Sequence, residues 1–259
     1  MKQLYWDTYV RLWSWIRSKL GIDMVTAVSS ILKANPHLDS WAFGFDPFDE
    51  QEWKSGLAWG RYHPKSPHQW WGGAPVSNDL YSEQDFKRFK DVLVPYRSDV
   101  VRSDFTLGYG LYVAEVSLYP SEWDWMAFWL YSDDGIGEID VFEYYTDPIE
   151  SSEKFETTVH YGDYTKSGHK RTRAIKSYVS RSRRKPAEFA LLWLEDKIEI
   201  YFNGALARKI VDKNVLQELA GKKMQVIFNC GVQPEKAMMM SKTKSRMTIE
   251  KFEYYQELY

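Results

Sequence analysis

The segment KIEIYFNGALARKI, residues 197–210, constrains the fold more than any other part of the sequence. It places Asn203-Gly204 between two strand-like runs, which is the strongest short-range signal for a β-hairpin with a type I′ turn. Further runs of β-branched and aromatic residues follow one another from about residue 98, separated by turn sequences such as Asp133-Asp134-Gly135. The strand-like segments are 107–119, 124–131, 137–145, 154–162, 187–210, 224–232 and 245–256. This spacing predicts an all-β sandwich, and 259 residues suit a single such domain.

The N-terminal part of the chain has a different, helical pattern. Apolar residues recur at helical spacing over residues 3–20 and again over residues 23–32, where Asp23 can cap the second helix. A Trp-rich, basic amphipathic helix can lie on a membrane, but such helices more often pack on their own domain. We therefore expect a helical extension over residues 1–50 that packs on a main domain of residues 51–259. Within that domain we expect loops up to about residue 80 and a short surface helix over residues 82–92.

The sequence also limits the class of protein. Cys230 is the sole cysteine, so no disulfide can form within the chain. No apolar run reaches the roughly 18 residues of a membrane span. Residues 1–21 lack the apolar core and cleavage site of a signal peptide, so the protein either is not exported by the classical route or has lost its signal. The localisation stays open.

The segment GEIDVFEYY, residues 137–145, combines a buried-strand pattern with three carboxylates. Side chains alternate along a strand, so Glu138 and Asp140 share one face, whereas Glu143 would lie on the other. One extra residue, a β-bulge around Val141 and Phe142, would return Glu143 to the acidic face. At least one of three carboxyl groups on one face must then have a raised pKa.

Three interpretations account for these acids. They can mark an exposed edge strand that avoids aggregation, although mixed Lys and Glu would serve equally well. They can bind calcium, although calcium loops are usually rich in turns. They can also form a glycosidase pair, with one carboxylate as nucleophile and one carboxylic acid as proton donor. We favour the glycosidase pair, in which Asp140 would separate the pKa values of the two glutamates.

The order of motifs along the chain resembles glycoside hydrolase family 16, the retaining β-glucanases and β-galactanases that include laminarinases, lichenases, agarases and carrageenases. The bulged family motif E-x-D-x-x-E is present as Glu138-Ile-Asp140-Val-Phe-Glu143. The resemblance extends over about residues 55–259. Its other segments are VRSDFTLGYGLYVAEVSL (101–118), WMAFWLY (125–131), TTVHYG (157–162), FALLWLEDKIEIYFNGAL (189–206), VIFNCGV (226–232) and IEKFEYYQ (249–256).

The resemblance implies a concanavalin A-like β-jelly roll of two antiparallel sheets and a retaining endo-β-glycosidase that hydrolyses internal β-1,3 or β-1,4 linkages. It implies that Glu138 is the nucleophile, that Glu143 is the general acid/base and that Asp140 modulates both. The residues that it places near the substrate are Arg102, His160 and Asn229. We expect a monomer that acts on a polysaccharide, needs no cofactor and has room for a structural calcium ion.

The chain departs from the family where stacking Trp residues often flank the motif, since Ile136 and Cys230-Gly231 stand there. Sugar platforms must then come from elsewhere, and the Trp70-Trp71 pair beside Gly72-Gly73 is the pair that looks exposed. The candidate platforms are Trp59, Trp70, Trp71, Trp125 and Trp129.

Residues 166–185 hold nine Lys and Arg residues and no acid. The whole chain carries −2 and this segment +9, so the other residues sum to −11. A solvated loop is the first interpretation, and an anionic glycan is the second, for which Arg61, His63 and His68 would add cationic groups. A nucleic-acid site is disfavoured because Tyr178 is the only aromatic residue inside the segment. A neutral β-glucan or galactan is the favoured substrate, and an anionic one is the alternative.

Two other activities fit the same fold. One is a non-catalytic, lectin-like carbohydrate-binding module, which has no reason to keep three mutually repelling acids. The other is a transglycosylase. Hydrolysis is the expected activity.

Overall fold

A computed structural model of the protein describes residues 25–38, 43–44, 50–60, 69–72, 75–89, 92–147, 152–162, 170–173, 177–178, 186–233, 236 and 244–257. The predicted helix over residues 3–20 lies outside this part of the chain, as do Arg61, His63, His68 and most of residues 166–185. The part that is described contains no helix long and apolar enough to cross a membrane.

Strands dominate the described chain. They are β1 Phe43–Gly44, β2 Trp53–Ser55, β3 Gln69–Trp71, β4 Asp79–Phe89, β5 Val92–Ser103, β6 Gly110–Tyr119, β7 Asp124–Ser132, β8 Glu138–Asp147, β9 Ser152–Tyr161, β10 Lys170–Arg173, β11 Ser177–Tyr178, β12 Ala187–Trp193, β13 Ile198–Phe202, β14 Ala205–Ile210, β15 Met224–Val232 and β16 Ser245–Gln256. The two helices are α1 Val25–Ala34 and α2 Lys213–Leu219. The predicted hairpin is β13–β14, and Asn203 (φ 46°) and Gly204 (φ 69°) both have the positive φ of a type I′ turn.

The strands form two sheets that share β5. The front sheet runs in the order β10-β9-β8-β7-β15-β5, and the back sheet runs β5-β4-β16-β6-β12-β13-β14. Residues 92–98 of β5 pair with β4, whereas residues 99–102 pair with β15. Strand β2 adds to β5 in the front sheet, β3 adds to β5 on the back-sheet side, β1 pairs with β16 and β11 pairs with β9. Among these described strands, only β3 pairs in parallel. Because the described chain consists mainly of antiparallel strands, the all-β prediction is confirmed.

The inner faces of the two sheets pack on each other through aromatic side chains. Phe142 of the front sheet lies 4.0 Å, between ring centroids, from Phe189 of the back sheet. Phe128 of the front sheet likewise lies 6.0 Å from Phe252 of the back sheet. Much of the aromatic content therefore serves the core, where large rings bury much apolar area.

Helix α1 covers part of the outer face of the back sheet. Its Val28 and Ile31 form a second apolar cluster with Leu111, Val113 and Leu192, which alternate along β6 and β12 with residues of the main core. The predicted second helix is thus confirmed, with bounds at Val25–Ala34, while Asp23 lies outside the described residues. The division into residues 1–50 and 51–259 stays a prediction.

Two predictions about secondary structure are wrong. Residues 82–89 belong to β4 and not to a helix, because they pair on one side with β5 and, at Ser82, on the other with β16. The region before residue 80, which we expected to be loops, contributes β1, β2 and β3. Helix α2 was not predicted, although Asp212 caps it by accepting a hydrogen bond from the backbone N–H of Asn214.

Candidate active site

A β-bulge in β8 creates the acidic face of the front sheet. Asp140 pairs with Thr158 and Glu143 pairs with Glu156, so two residues of β8 oppose only Thr157 of β9. The side chains that point into the core are Ile139, Val141, Phe142 and Tyr144. The predicted bulge is therefore present, and Glu138, Asp140 and Glu143 share the opposite face, which we call the acidic face.

Three donors hold the Glu143 carboxyl group. Trp125 Nε1 and Tyr145 OH donate to Oε1 at 3.0 and 2.6 Å. Thr158 Oγ1 lies 3.4 Å from Oε2. These contacts fix the orientation of the carboxyl group, as a catalytic side chain requires.

Asp140 lies between the two glutamates and is only 4% exposed. Burial raises the pKa of Asp140 well above its usual value, and the charge of Glu143 adds to this effect. A hydrogen bond with Glu138 and the charge of Arg208 act in the opposite direction and lower the pKa of Asp140, but burial outweighs them. Because ionised carboxylates only accept hydrogen bonds, the hydrogen bond with Glu138 requires one proton between the two groups. The expectation that one of the three acids has a raised pKa is met at Asp140.

His160 lies beside this pair, with Nε2 3.3 Å from Asp140 Oδ2. One ligand atom from each of Glu138, Asp140 and His160 lies within 4.8 Å of the others, so these side chains could hold a cation. Calcium prefers six to eight oxygen ligands, and here an imidazole nitrogen replaces the third carboxylate. Glu143 is instead held by Trp125 and Tyr145. The donor set does not match the calcium interpretation of the acids.

Trp125, Trp129 and Asn229 line the acidic face next to the carboxyl groups. Trp125 is opposite Tyr145 and Trp129 is opposite Asp140 in the register of β7 and β8. Asn229 accepts a hydrogen bond from Trp129 Nε1 at 2.9 Å and donates one to the Trp125 carbonyl at 3.2 Å. The structure therefore brings these three predicted residues together with the acids.

Arg102 lies on the same face but farther away. It is opposite Ile227, which is opposite Trp129, which in turn is opposite Asp140. Three strand spacings separate Arg102 from Asp140, or about 14 Å. Its Nη1 lies 3.7 Å from Asp104 Oδ1. A contact of Arg102 with substrate stays a prediction.

The expectation that Trp70-Trp71 is exposed is wrong, because β3 pairs with β5 and both side chains are about 95% buried (4% and 5% exposed). Trp70 donates through Nε1 to the Asp85 carbonyl and lies under the Lys87 ammonium group. Trp71 packs edge-on against Trp125, with ring centroids 5.8 Å apart. Trp71 thus supports Trp125, while Trp70 offers no open ring face to a sugar.

Among the described aromatic residues of the acidic face, Trp59 is the exposed one, with 44% of its surface accessible. Its ring centroid lies 4.8 Å from that of Tyr131 and 6.1 Å from that of Trp129. Tyr131 is opposite Glu138 in the register of β7 and β8. The sequence offered Trp59 as one of five candidates, and the packing against Tyr131 distinguishes it from the others.

Tyr145 and Thr158 were not predicted as partners of Glu143. Strand alternation could have identified Tyr145, since residues two apart on a strand share a face. No signal near Glu143 in the sequence identifies Thr158, because β9 is a separate strand.

The profile of the glycosyl hydrolases family 16 matches residues 72–250. Comparison with curated protein sequences finds no significant match.

Solved structures share the fold at low sequence identity. A LamA variant from Zobellia galactanivorans, in complex with laminaritriose and laminaritetraose, has a TM-score of 0.66 and 14% identity over 84% of this chain and 96% of its own. The catalytic domain of an endo-1,3-beta-glucanase (laminarinase) from Thermotoga petrophila has a TM-score of 0.66 and 17% identity over 84% and 96%. A family 16 protein of the Bacteroides ovatus mixed linkage glucan locus, in complex with a product, has a TM-score of 0.64 and 18% identity over 83% and 99%. With the profile match over most of the front and back sheets, the chain belongs to family 16 of the glycosyl hydrolases.

Proposed function

We propose that this glycoside hydrolase cleaves internal β-1,3 or β-1,4 linkages of a β-glucan or galactan with retention of configuration. The observation that carries the proposal is the bulge at Val141 and Phe142, which places Glu138 and Glu143 on one face with Asp140 between them. Two carboxyl groups on one face are what a double displacement needs.

We assign the proton that Glu138 and Asp140 share to Asp140, because burial disfavours its charged form and outweighs the hydrogen bond with Glu138 and the charge of Arg208, which favour that form. Glu138 then stays a carboxylate and can act as the nucleophile. In the first step its oxygen bonds to the anomeric carbon while the bond to the departing oxygen breaks.

Glu143 supplies the proton for this step. Trp125 and Tyr145 both donate to Oε1, which leaves Oε2, with its longer contact to Thr158, as the oxygen that carries the proton. Glu143 protonates the departing oxygen and, as a carboxylate, then takes a proton from water. The water oxygen attacks the anomeric carbon and releases Glu138.

Trp59 gives the acidic face a platform for a sugar ring. Its exposed indole is held by Tyr131 and Trp129 and lies beside the strand position of Glu138. Aromatic faces pack on the C–H faces of sugars, so a unit of the chain can rest there while the scissile bond lies over Glu138 and Glu143. The similar proteins that are named as laminarinases or bound to laminarin oligosaccharides support a glucan as the first substrate to test.

The test is a panel of laminarin, mixed-linkage glucan, agar, carrageenan and porphyran, followed by reducing-end release and viscosity. We expect at least one polymer to lose viscosity early, as endo cleavage requires. Binding across the panel without any release would contradict hydrolysis and favour a lectin-like module.

The roles of the two glutamates are separated with azide as an external nucleophile. Azide should restore turnover to Glu138→Ala and give an α-glycosyl azide, because it replaces the nucleophile in a single inversion. With Glu143→Ala it should give the β-glycosyl azide, because azide then attacks the covalent intermediate. The reverse pairing of products would exchange the two roles.

A further inference from the structure

The basic segment, residues 166–185, contributes a strand to the front sheet, whose outer side is the acidic face. Residues 170–173 form β10, which extends the front sheet beyond β9. Arg171 is directly opposite His160 in this register, and Lys170 is opposite Tyr161. Residues directly opposite each other on antiparallel strands share a face. Arg171 therefore lies on the acidic face with His160, whereas Lys170 belongs to the other face.

A contact from the back sheet fixes this register. Arg208 of β14 donates from Nη1 to the Thr157 carbonyl and Oγ1, at 2.8 and 3.1 Å. From Nη2 it donates to the Thr172 carbonyl at 3.1 Å and to Thr172 Oγ1. Thr157 and Thr172 thus point toward the back sheet, so their neighbour Arg171 points away from it.

Arg171 is exposed and, among the residues that the structure describes, it is in no ion pair. It belongs to a row across the sheet in which His160 and Glu138 are the next residues. Two strand spacings separate it from Glu138, or about 10 Å. A flexible arginine at that distance reaches a substituent on a sugar bound over the nucleophile or on the next unit.

We propose that Arg171 recognises an oxyanion substituent, a sulfate ester or a uronate carboxylate, on the sugar chain that the acidic face binds. The planar guanidinium group donates two parallel hydrogen bonds that match such an oxyanion. Without a cation at this edge, the Glu138 carboxylate would repel an anionic substrate. The proposal rests on the proposed function for the position of the sugar and specifies the substrate class.

The test compares matched pairs of substrates that differ only in charge. Laminarin is measured against sulfated laminarin and against C6-oxidised laminarin, and porphyran desulfated without ring closure is measured against porphyran. The sulfated and the oxidised forms separate a sulfate from a carboxylate as the recognised group. Arg171→Gln is compared with Lys170→Gln, which removes the same charge from the other face.

We expect Arg171→Gln to lower kcat/KM about tenfold or more on an anionic member of a pair and less than twofold on its neutral partner, since a charge-assisted bidentate contact is lost. Lys170→Gln should leave both values unchanged. An equal loss on neutral and anionic substrates would overturn the proposal, because Arg171 would then only balance the charge of the acids. An unchanged preference in Arg171→Gln would overturn it as well.

Binding without turnover separates this proposal from the proposed function. The Glu138→Gln variant, with and without Arg171→Gln, is titrated with the same polymers at low and high salt. Tighter binding of an anionic polymer that needs Arg171 and weakens with salt supports the proposal even if no polymer is cleaved. Binding that is independent of Arg171 contradicts it even if cleavage is observed.

Discussion

Asp140 and Asp124 are both buried aspartates whose pKa is raised by burial, but their neighbours differ. Asp124 accepts hydrogen bonds from the Ser121 backbone N–H and from the hydroxyl groups of Thr146 and Ser245. Each of these three groups is a hydrogen-bond donor, and the Asp124 carboxyl group alone accepts from all of them.

Asp140 instead lies among other titratable groups. It shares a hydrogen bond with Glu138, senses the charge of Glu143 and lies next to His160. A raised pKa alone therefore does not identify a reactive site, since structural networks also perturb pKa values. The surrounding acids and the open aromatic face distinguish Asp140 from Asp124.

The largest expected effect is the loss of catalysis in Glu138→Gln and Glu143→Gln. Each should lower kcat by about a thousandfold or more, because each removes the proposed nucleophile or the proposed proton donor. The matched control is Asp124→Asn, which should stay within about twofold of wild-type kcat because Asp124 does not touch the acidic face. Circular dichroism and thermal melting check that every variant is folded. Near-normal turnover in either glutamine variant would contradict the catalytic role proposed for that glutamate.

The next largest effect is the pH dependence of the free energy of unfolding that Asp124 causes. Burial raises its pKa from 3.8 to about 7, so the folded protein holds a proton that the unfolded chain releases near pH 4. The stability that this proton provides is complete below about pH 4 and is lost as the pH rises through about 7, by about 1.4 kcal/mol for each pH unit in between and about 4 kcal/mol in all. Asp124→Asn should remove this slope. Urea unfolding at pH 5 and pH 8 measures it, and equal slopes in both proteins would contradict the assignment.

Asp140 is tested by two substitutions that differ in hydrogen bonding. Asp140→Ala removes the donor to Glu138 and should lower kcat by about ten- to a hundredfold, equal to about 1.4–2.7 kcal/mol. Asp140→Asn keeps an uncharged donor at the same place and should retain most of the activity, with a higher Tm at alkaline pH because no buried charge forms. If Asp140→Asn loses as much activity as Asp140→Ala, Asp140 does not act as a neutral donor.

The smallest expected effect concerns Trp59, the proposed platform for a sugar ring. Trp59→Ala should raise KM about fivefold, or about 1 kcal/mol, with little change in kcat, because the ring contacts bound sugar away from the reacting bond. Tyr119→Ala is the matched control, since Tyr119 is another exposed ring and lies on the back sheet. An equal change in KM for both variants would indicate a general loss of packing and not a lost platform.

The parts of the site that the sequence predicted are local ones. The bulge and the shared face of the three acids follow from the alternation within one strand, and the Asn203-Gly204 hairpin follows from its turn residues. The wrong predictions concern tertiary pairing. Residues 82–89 carry helix-forming side chains but are fixed as a strand by β5, and the glycines after Trp71 suggested a loop where β3 pairs with β5.

The remaining features come from residues far apart in the sequence. Trp59 reaches the acidic face from the segment after β2 and packs on Tyr131. Arg208 reaches β9 and β10 from the opposite sheet and so determines which side of β10 Arg171 faces. Neither contact has a periodic signal, because each depends on how the two sheets are stacked.

We propose that Glu138 and Glu143, with Asp140 between them, form a retaining pair. The most direct measurement is ¹H NMR of the anomeric proton of the first products, recorded before mutarotation, with whichever polymer of the panel the enzyme cleaves. If Glu138 is the nucleophile, the new reducing ends appear as the β-anomer, and the α-anomer grows in later at the rate of mutarotation. The α-anomer appearing first would mean that water attacks directly, and it would contradict the role of Glu138 as nucleophile.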